Sequence, residues 1–178
     1  MLRALGSAWR CAREAVSFSS TRLQQTTGTH IHRIDHYPKV ADMSVSLTDK
    51  RIESAPFVVG GHEWQLHLYP NGTAAAAGGG PAAVDLVLKG GPWWDLFYES
   101  RSVTAAYEVS VIDGEGKWVC DRAVGPRRFR TFSLTVDEPV RIAKAEELRS
   151  AAIRGGKDGG GDDSLVVRCD LTVMSLEE

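Results

Sequence analysis

The sequence predicts an all-β fold, an antiparallel sandwich of about eight strands with one short helix. Three observations predict it. Residues 57–72 read FVVGGHEWQLHLYPNG, two strand-like arms around Gly60-Gly61. Glycine pairs supply the positive φ that a two-residue hairpin turn needs. Residues 102–112 alternate strictly, with Val103, Ala105, Tyr107, Val109 and Val111 on one face. Residues 164–174 repeat that pattern with Leu165, Val167, Cys169, Leu171 and Val173. Period two means strands over a core.

In chain order, residues 1–27 carry Arg3, Arg10, Arg13 and Arg22 against Glu14 alone. Leu2, Leu5, Trp9, Ala12 and Val16 share a helical face, and a Ser/Thr-rich patch follows. That is the composition of a mitochondrial or plastid transit peptide, or else of a disordered leader. Residues 28–37, GTHIHRIDHY, suit a first strand on which His30 and His32 point the same way. Two histidines on one strand face invite a metal, yet no third ligand stands at motif spacing, so rim histidines are expected. Residues 39–49 read as loop.

In the hairpin, Trp64, Leu66 and Leu68 oppose Glu63, Gln65 and His67, which predicts one buried and one half-wet face. Pro70-Asn71-Gly72 ends that arm. The AAAAGGG run within residues 73–81 cannot pack and reads as a surface loop. Residues 83–89 form a strand, with Val84, Leu86 and Leu88 facing away from Asp85 and Val87.

Gly90-Gly91-Pro92 breaks that strand, and Trp93, Trp94, Phe97 and Tyr98 follow. They suit a hydrophobic plug at one end of the core, or an exposed patch for a partner. Residues 113–116, DGEG, turn the long strand back on itself, and their two acids suit a solvated turn. Residues 123–134 hold Gly125-Pro126, then Arg127, Arg128 and Arg130 around Phe129 and Phe132. A basic cluster with aromatics can touch phosphate or an acidic peptide, but a solvated strand face explains it as well. A short helix is expected within residues 140–153, with Leu148 and Ala151 or Ala152 toward the sheet. The Gly/Asp run of residues 155–163 is a loop and not a phosphate cradle, since no Lys-Ser/Thr follows it.

Composition narrows the function. With 178 residues, one domain with a real core is the default. A net charge of −2 gives no global case for nucleic acid or anionic membrane. No apolar run approaches membrane-spanning length. Three cysteines make a disulfide framework unlike this chain and favour a reducing compartment. No metalloprotease, nucleophile-elbow, P-loop, dinucleotide or CxxC motif is present. The residues therefore predict a binding scaffold with no catalytic residues, no metal and no cofactor, rather than an enzyme.

Four blocks, GTHIHRIDHY, FVVGGHEWQLHLYPNG, SVTAAYEVSVIDGEGK and DDSLVVRCDLTVM, resemble the MATH domain (meprin and TRAF homology). They are most like the version in grass MATH–BTB proteins. The resemblance places a MATH domain at residues 28–175 behind the basic leader of residues 1–27. It implies an eight-stranded antiparallel TRAF-like β-sandwich that captures short extended peptides of partner proteins. In MATH–BTB adaptors such a partner is handed to a cullin-based ubiquitin ligase through the BTB domain. No BTB domain follows in this sequence, so a module that stands alone or pairs with MATH–BTB relatives is expected. A cytoplasmic or nuclear location goes with that role, and organelle import with the leader.

The resemblance also implies where the peptide lies. The family's groove takes an aromatic at the position of Val87 and a second at Tyr107, although alternation alone would send Tyr107 to the core. Its Trp-Gly-Phe motif before two basic residues and Phe matches Val124, Gly125, Pro126, Arg127, Arg128 and Phe129, with both aromatics replaced. Less stacking surface is expected, and Trp93, Trp94, Phe97 and Tyr98 are candidates to replace it. The alternative is a structural or oligomerising domain with a degenerate groove.

Overall fold

Residues 19–46, 51–73, 80–90, 102–131, 138–154 and 163–177 are described in the computed structural model of this chain. They form two antiparallel sheets with a shared core. The first sheet holds β1 (Arg22–Ile34), β9 (Leu165–Glu177), β6 (Ser102–Asp113) and β7 (Trp118–Arg130), in that spatial order. The second holds β2 (Ile52–Glu53), β4 (His62–Tyr69), β5 (Ala82–Leu88) and β8 (Val140–Ala143), with β3 (Phe57–Val59) also paired to β4. The antiparallel sandwich read from the sequence is the fold observed.

The hairpin forms as expected. Gly60 and Gly61 take φ of 61° and 74°, so β3 and β4 meet with Phe57 opposite Trp64 and Val59 opposite His62. Positive φ at both central residues matches the right-handed twist of the flanking strands. Trp64, Leu66 and Leu68 then face Leu88, Leu86 and Val84 across the pair and enter the core. From the other sheet, Val103, Ala105, Tyr107, Val109 and Val111 of β6 meet them, as do Leu165, Val167, Cys169, Leu171 and Val173 of β9. Cys169 is the small core residue its alternation predicts, and burial pushes its thiol pKa up to about 12.

Four expectations need correction. Residues 39–49 are not simply loop, because α1 spans Tyr37–Ser46. Pro38 sits in its first turn, where a missing N–H costs nothing. His36, at φ 52°, makes the sharp entry, and its carbonyl accepts from the amides of Lys39 and Val40. Tyr37 and Ala41, one turn apart, are fully buried, and the Tyr37 amide donates to the Asp163 carbonyl at 2.7 Å. The second helix, α2 (Ala145–Arg154), is the one expected, with Leu148, Ala151 and Ala152 buried. So the described residues hold two helices rather than one.

Secondly, the strand count differs, and β7 runs on through Gly125-Pro126. Tyr107 pairs with Val124 and Ala105 with Arg127, so β7 runs through a bulge in which two residues oppose Ala106. With the short β2 and β8 added, the described strands number nine rather than eight. Thirdly, Asp113 is buried, not solvated. Its carboxylate accepts from the amides of Glu115 and Lys117 at 3.0 and 2.8 Å and thereby builds the turn. Fourthly, the polar face of β4 is covered, since Gln65 and His67 are 8% and 7% exposed. β1 begins at Arg22 and pairs with β9 along its whole length.

Candidate functional site

β7 is the outermost strand of its sheet, and among the described strands it is paired on its β6 side alone. Its other side offers a ladder of amides and carbonyls that an extended chain could join. Beside it, β5 pairs with β8 only over Ala82–Val84, which leaves the Asp85–Leu88 end of β5 outside that pairing. Arg127 spans the gap between the two sheets. Its guanidinium lies 4.6 Å over the Phe129 ring and 5.3 Å over the Tyr107 ring. It reaches the Tyr107 hydroxyl at 3.3 Å and the Asp85 carboxylate at 3.4 Å, the long end of hydrogen-bond range. A cation held over two aromatic faces and one carboxylate is a fixed wall rather than a floating charge.

Behind that wall is a chain of rings. Phe129 meets Trp64 edge-on, with centroids 5.1 Å apart, and tilts against Tyr107 at 6.2 Å. Trp64 is fully buried and donates its indole N–H to the Val59 carbonyl at 3.1 Å. The hairpin is thus tied to β7 through the core. Along the far face of the second sheet runs a polar network. Gln65 donates to the Ser54 carbonyl at 2.8 Å and accepts from Lys89 at 3.0 Å. His67 lies 3.3 Å from the Gln65 side-chain oxygen and 3.8 Å from Glu53, which Arg51 binds at 2.8 Å. The hydrogen bond from Arg51 holds the Glu53 carboxyl below its usual range, against a smaller opposing effect of burial. These groups satisfy one another, as buried polar atoms must.

The sequence-derived site residues divide. Val124 is half-buried, while Gly125 and Pro126 are exposed at the bulge. Val87 is half-buried on the same face of β5 as Asp85. The Arg127–Asp85 contact sets the β7 bulge beside the Asp85–Leu88 end of β5, and the strip between them is the candidate site. Arg128, opposite Thr104, points to the outer face of the sheet. Tyr107 is 3% exposed, so its ring belongs to the core and it meets the strip through Arg127. Trp93, Trp94, Phe97 and Tyr98 lie outside the described residues. Of the two residues that fix Arg127, only Asp85 escaped sequence reasoning. Phe129 was visible as the aromatic after two arginines, whereas nothing local marks Asp85, whose partner is 42 residues away.

His30 and His32 do share a face. His30 stacks on Phe57 at 4.1 Å, and burial lowers both pKa values, helped at His32 by the charge of His30. Among the described residues no group of three His, Cys, Asp or Glu side chains is placed to hold a metal. No helix among them is long and apolar enough to cross a membrane.

A two-sheet sandwich with an unpaired edge strand beside a walled strip is a binding scaffold. Comparison with known proteins defines the class: a MATH domain family model matches residues 29–138, and the chain belongs to the MATH family. MATH domains are protein-interaction modules and not typically enzymes. The chain is similar to BTB/POZ and MATH domain-containing protein 6 of Arabidopsis thaliana, 30% identical over 104 residues. That match covers 58% of this chain and 22% of the relative, so the chain spans well under half of that protein. Among solved structures it is similar to Notothenia coriiceps TRAF5 at 18% identity, over 85% of this chain and 73% of that one, with a TM-score of 0.47.

Proposed function

We propose that this domain captures a short extended segment of a partner protein along the unpaired side of β7. The single observation that carries this is the strip itself, an unpaired strand edge flanked by Val87, Val124 and the fixed Arg127. Main-chain pairing would supply affinity and the flanking side chains selectivity. The role is that of the substrate-recognition part of a cullin-based ubiquitin-ligase adaptor, with MATH–BTB relatives as partners that supply the ligase link. Cytoplasm or nucleus is the place for that role. A fluorescent protein fused behind residues 1–27 checks the location, with organelle signal as the contrary result.

The test is a screen of the full chain against an array of short random peptides. Selected binders should lose about tenfold or more in affinity to Val124→Lys, a change of about 1.4 kcal/mol at the strip. Absence of any selective binder at about millimolar peptide removes the proposal. One observation favours a second reading. Arg127 fills the space between Tyr107 and Asp85 with the protein's own side chain. A structural or oligomerising domain with a closed groove would then remain, visible as a defined oligomer by light scattering.

A further inference from the structure

We infer that the β7 edge selects an acidic ligand, an extended peptide with carboxylate or phosphate side chains two residues apart. This rests on the peptide-capture reading and names its ligand class. The bulge at Gly125-Pro126 sorts the arginines of β7. Val124 and Arg127, opposite Tyr107 and Ala105, both face the core side. Arg128 and Arg130 therefore fall together on the outer side, opposite Thr104 and Ser102. Without the extra residue, Arg127 would share the outer side and the other two would turn inward.

The two sides differ in charge. Arg127 is answered by Asp85. Arg128 and Arg130 are exposed, and among the described residues neither has an ion-pair or hydrogen-bond partner. Their cross-strand neighbours are hydroxyls, and the strand beyond presents Met174 beside Thr104. A strand added to this edge alternates its side chains between the two sides, repeating about every 6.7 Å. One set would lie over Val124, Pro126 and the wall made by Arg127. The other set would come beside Arg128 and Arg130, at the same spacing as those two arginines. Opposite charges across neighbouring strands attract, and like charges repel. Guanidinium also binds carboxylate or phosphate through paired N–H donors. The acids thus belong at positions i and i+2, with small or apolar residues between them. The chain's net charge of −2 supplies no general attraction for anions, so the selectivity is local to this pair.

The experiment uses the full chain at about 150 mM salt. Labelled extended peptides carry Asp, phosphoserine, Ser or Lys at two positions two apart, in an otherwise random background, and binding is read by fluorescence anisotropy. The Asp and phosphoserine arms should bind about tenfold tighter than the Lys arm, since two cross-strand pairs change sign. Arg128→Glu/Arg130→Glu, both exposed and compatible with an unchanged circular dichroism spectrum, should reverse that order. A phosphoserine arm well above the Asp arm assigns the ligand to phosphate, and equal arms assign it to carboxylate; both support the inference. Equal binding of acidic and lysine arms overturns it and leaves peptide capture standing. Failure of every arm overturns both. Tighter binding of a single-stranded oligonucleotide of matched charge than of either acidic peptide also overturns it.

Discussion

Trp64 shows how one side chain serves two structures. Its ring fills the middle of the core and packs edge-on against Phe129, while its N–H satisfies the carbonyl at the end of β3. Trp64→Phe keeps much of the volume but loses the indole hydrogen bond to the Val59 carbonyl, and should cost about 0.5–1.5 kcal/mol in urea unfolding. Trp64→Ala adds a cavity and should cost about 3–5 kcal/mol, a large part of a domain's total stability. His30 and His32 make a second prediction at this scale. Burial lowers both folded-state pKa values, so the unfolded chain binds more protons just below the ordinary histidine value. Stability is then fully present above about pH 6.5 and falls as pH drops toward the folded pKa values. The melting temperature should decline between about pH 7.5 and about pH 5.5. His30→Gln/His32→Gln should flatten that decline, and an unchanged slope in the double variant refutes the assignment.

At the scale of the element, the hairpin turn separates conformational strain from steric fit. Gly61, at φ 74°, has nothing within 4 Å of an added Cβ, so Gly61→Ala should cost only the left-handed penalty of about 1–2 kcal/mol. Gly60, at φ 61°, would bring its Cβ to 2.8 Å from the Val173 side chain of β9. Gly60→Ala should therefore be clearly more destabilising than Gly61→Ala, and equal unfolding midpoints would show that the contact relaxes. The strands around this turn were legible because period two is a strong local signal. Alternation in β4, β5, β6 and β9 placed every inward residue correctly. Helix α1 was not legible, since among its described side chains only Tyr37 and Ala41 are buried, too few to show a helical period. The bulge at Gly125-Pro126 was hidden for a similar reason. Only the register against Ala106 shows it, and register is a property of two strands. The candidate strip was half legible for that reason: Val124, Pro126 and Arg127 could be named from their own stretch, but which way each arginine points could not.

For the molecule as a whole, the same unpaired edge is both a tool and a hazard. A thirteen-residue outer strand can recruit any extended chain, including another copy of itself. Three devices on β7 oppose that. Pro126 has no N–H to give to a ladder, the bulge at Gly125-Pro126 kinks the strand, and Arg128 and Arg130 set like charges against a symmetric neighbour. None of them contributes to the core, which is built from the opposite face of the sheets. Pro126→Val/Arg128→Thr/Arg130→Thr should thus leave urea stability within about 1 kcal/mol of the parent, as exposed substitutions usually do. The same variant should associate at lower concentration than the parent in light scattering. If association is unchanged while stability holds, β7 is guarded by something other than these residues, and selectivity for a foreign acidic strand over self-pairing would need a different origin.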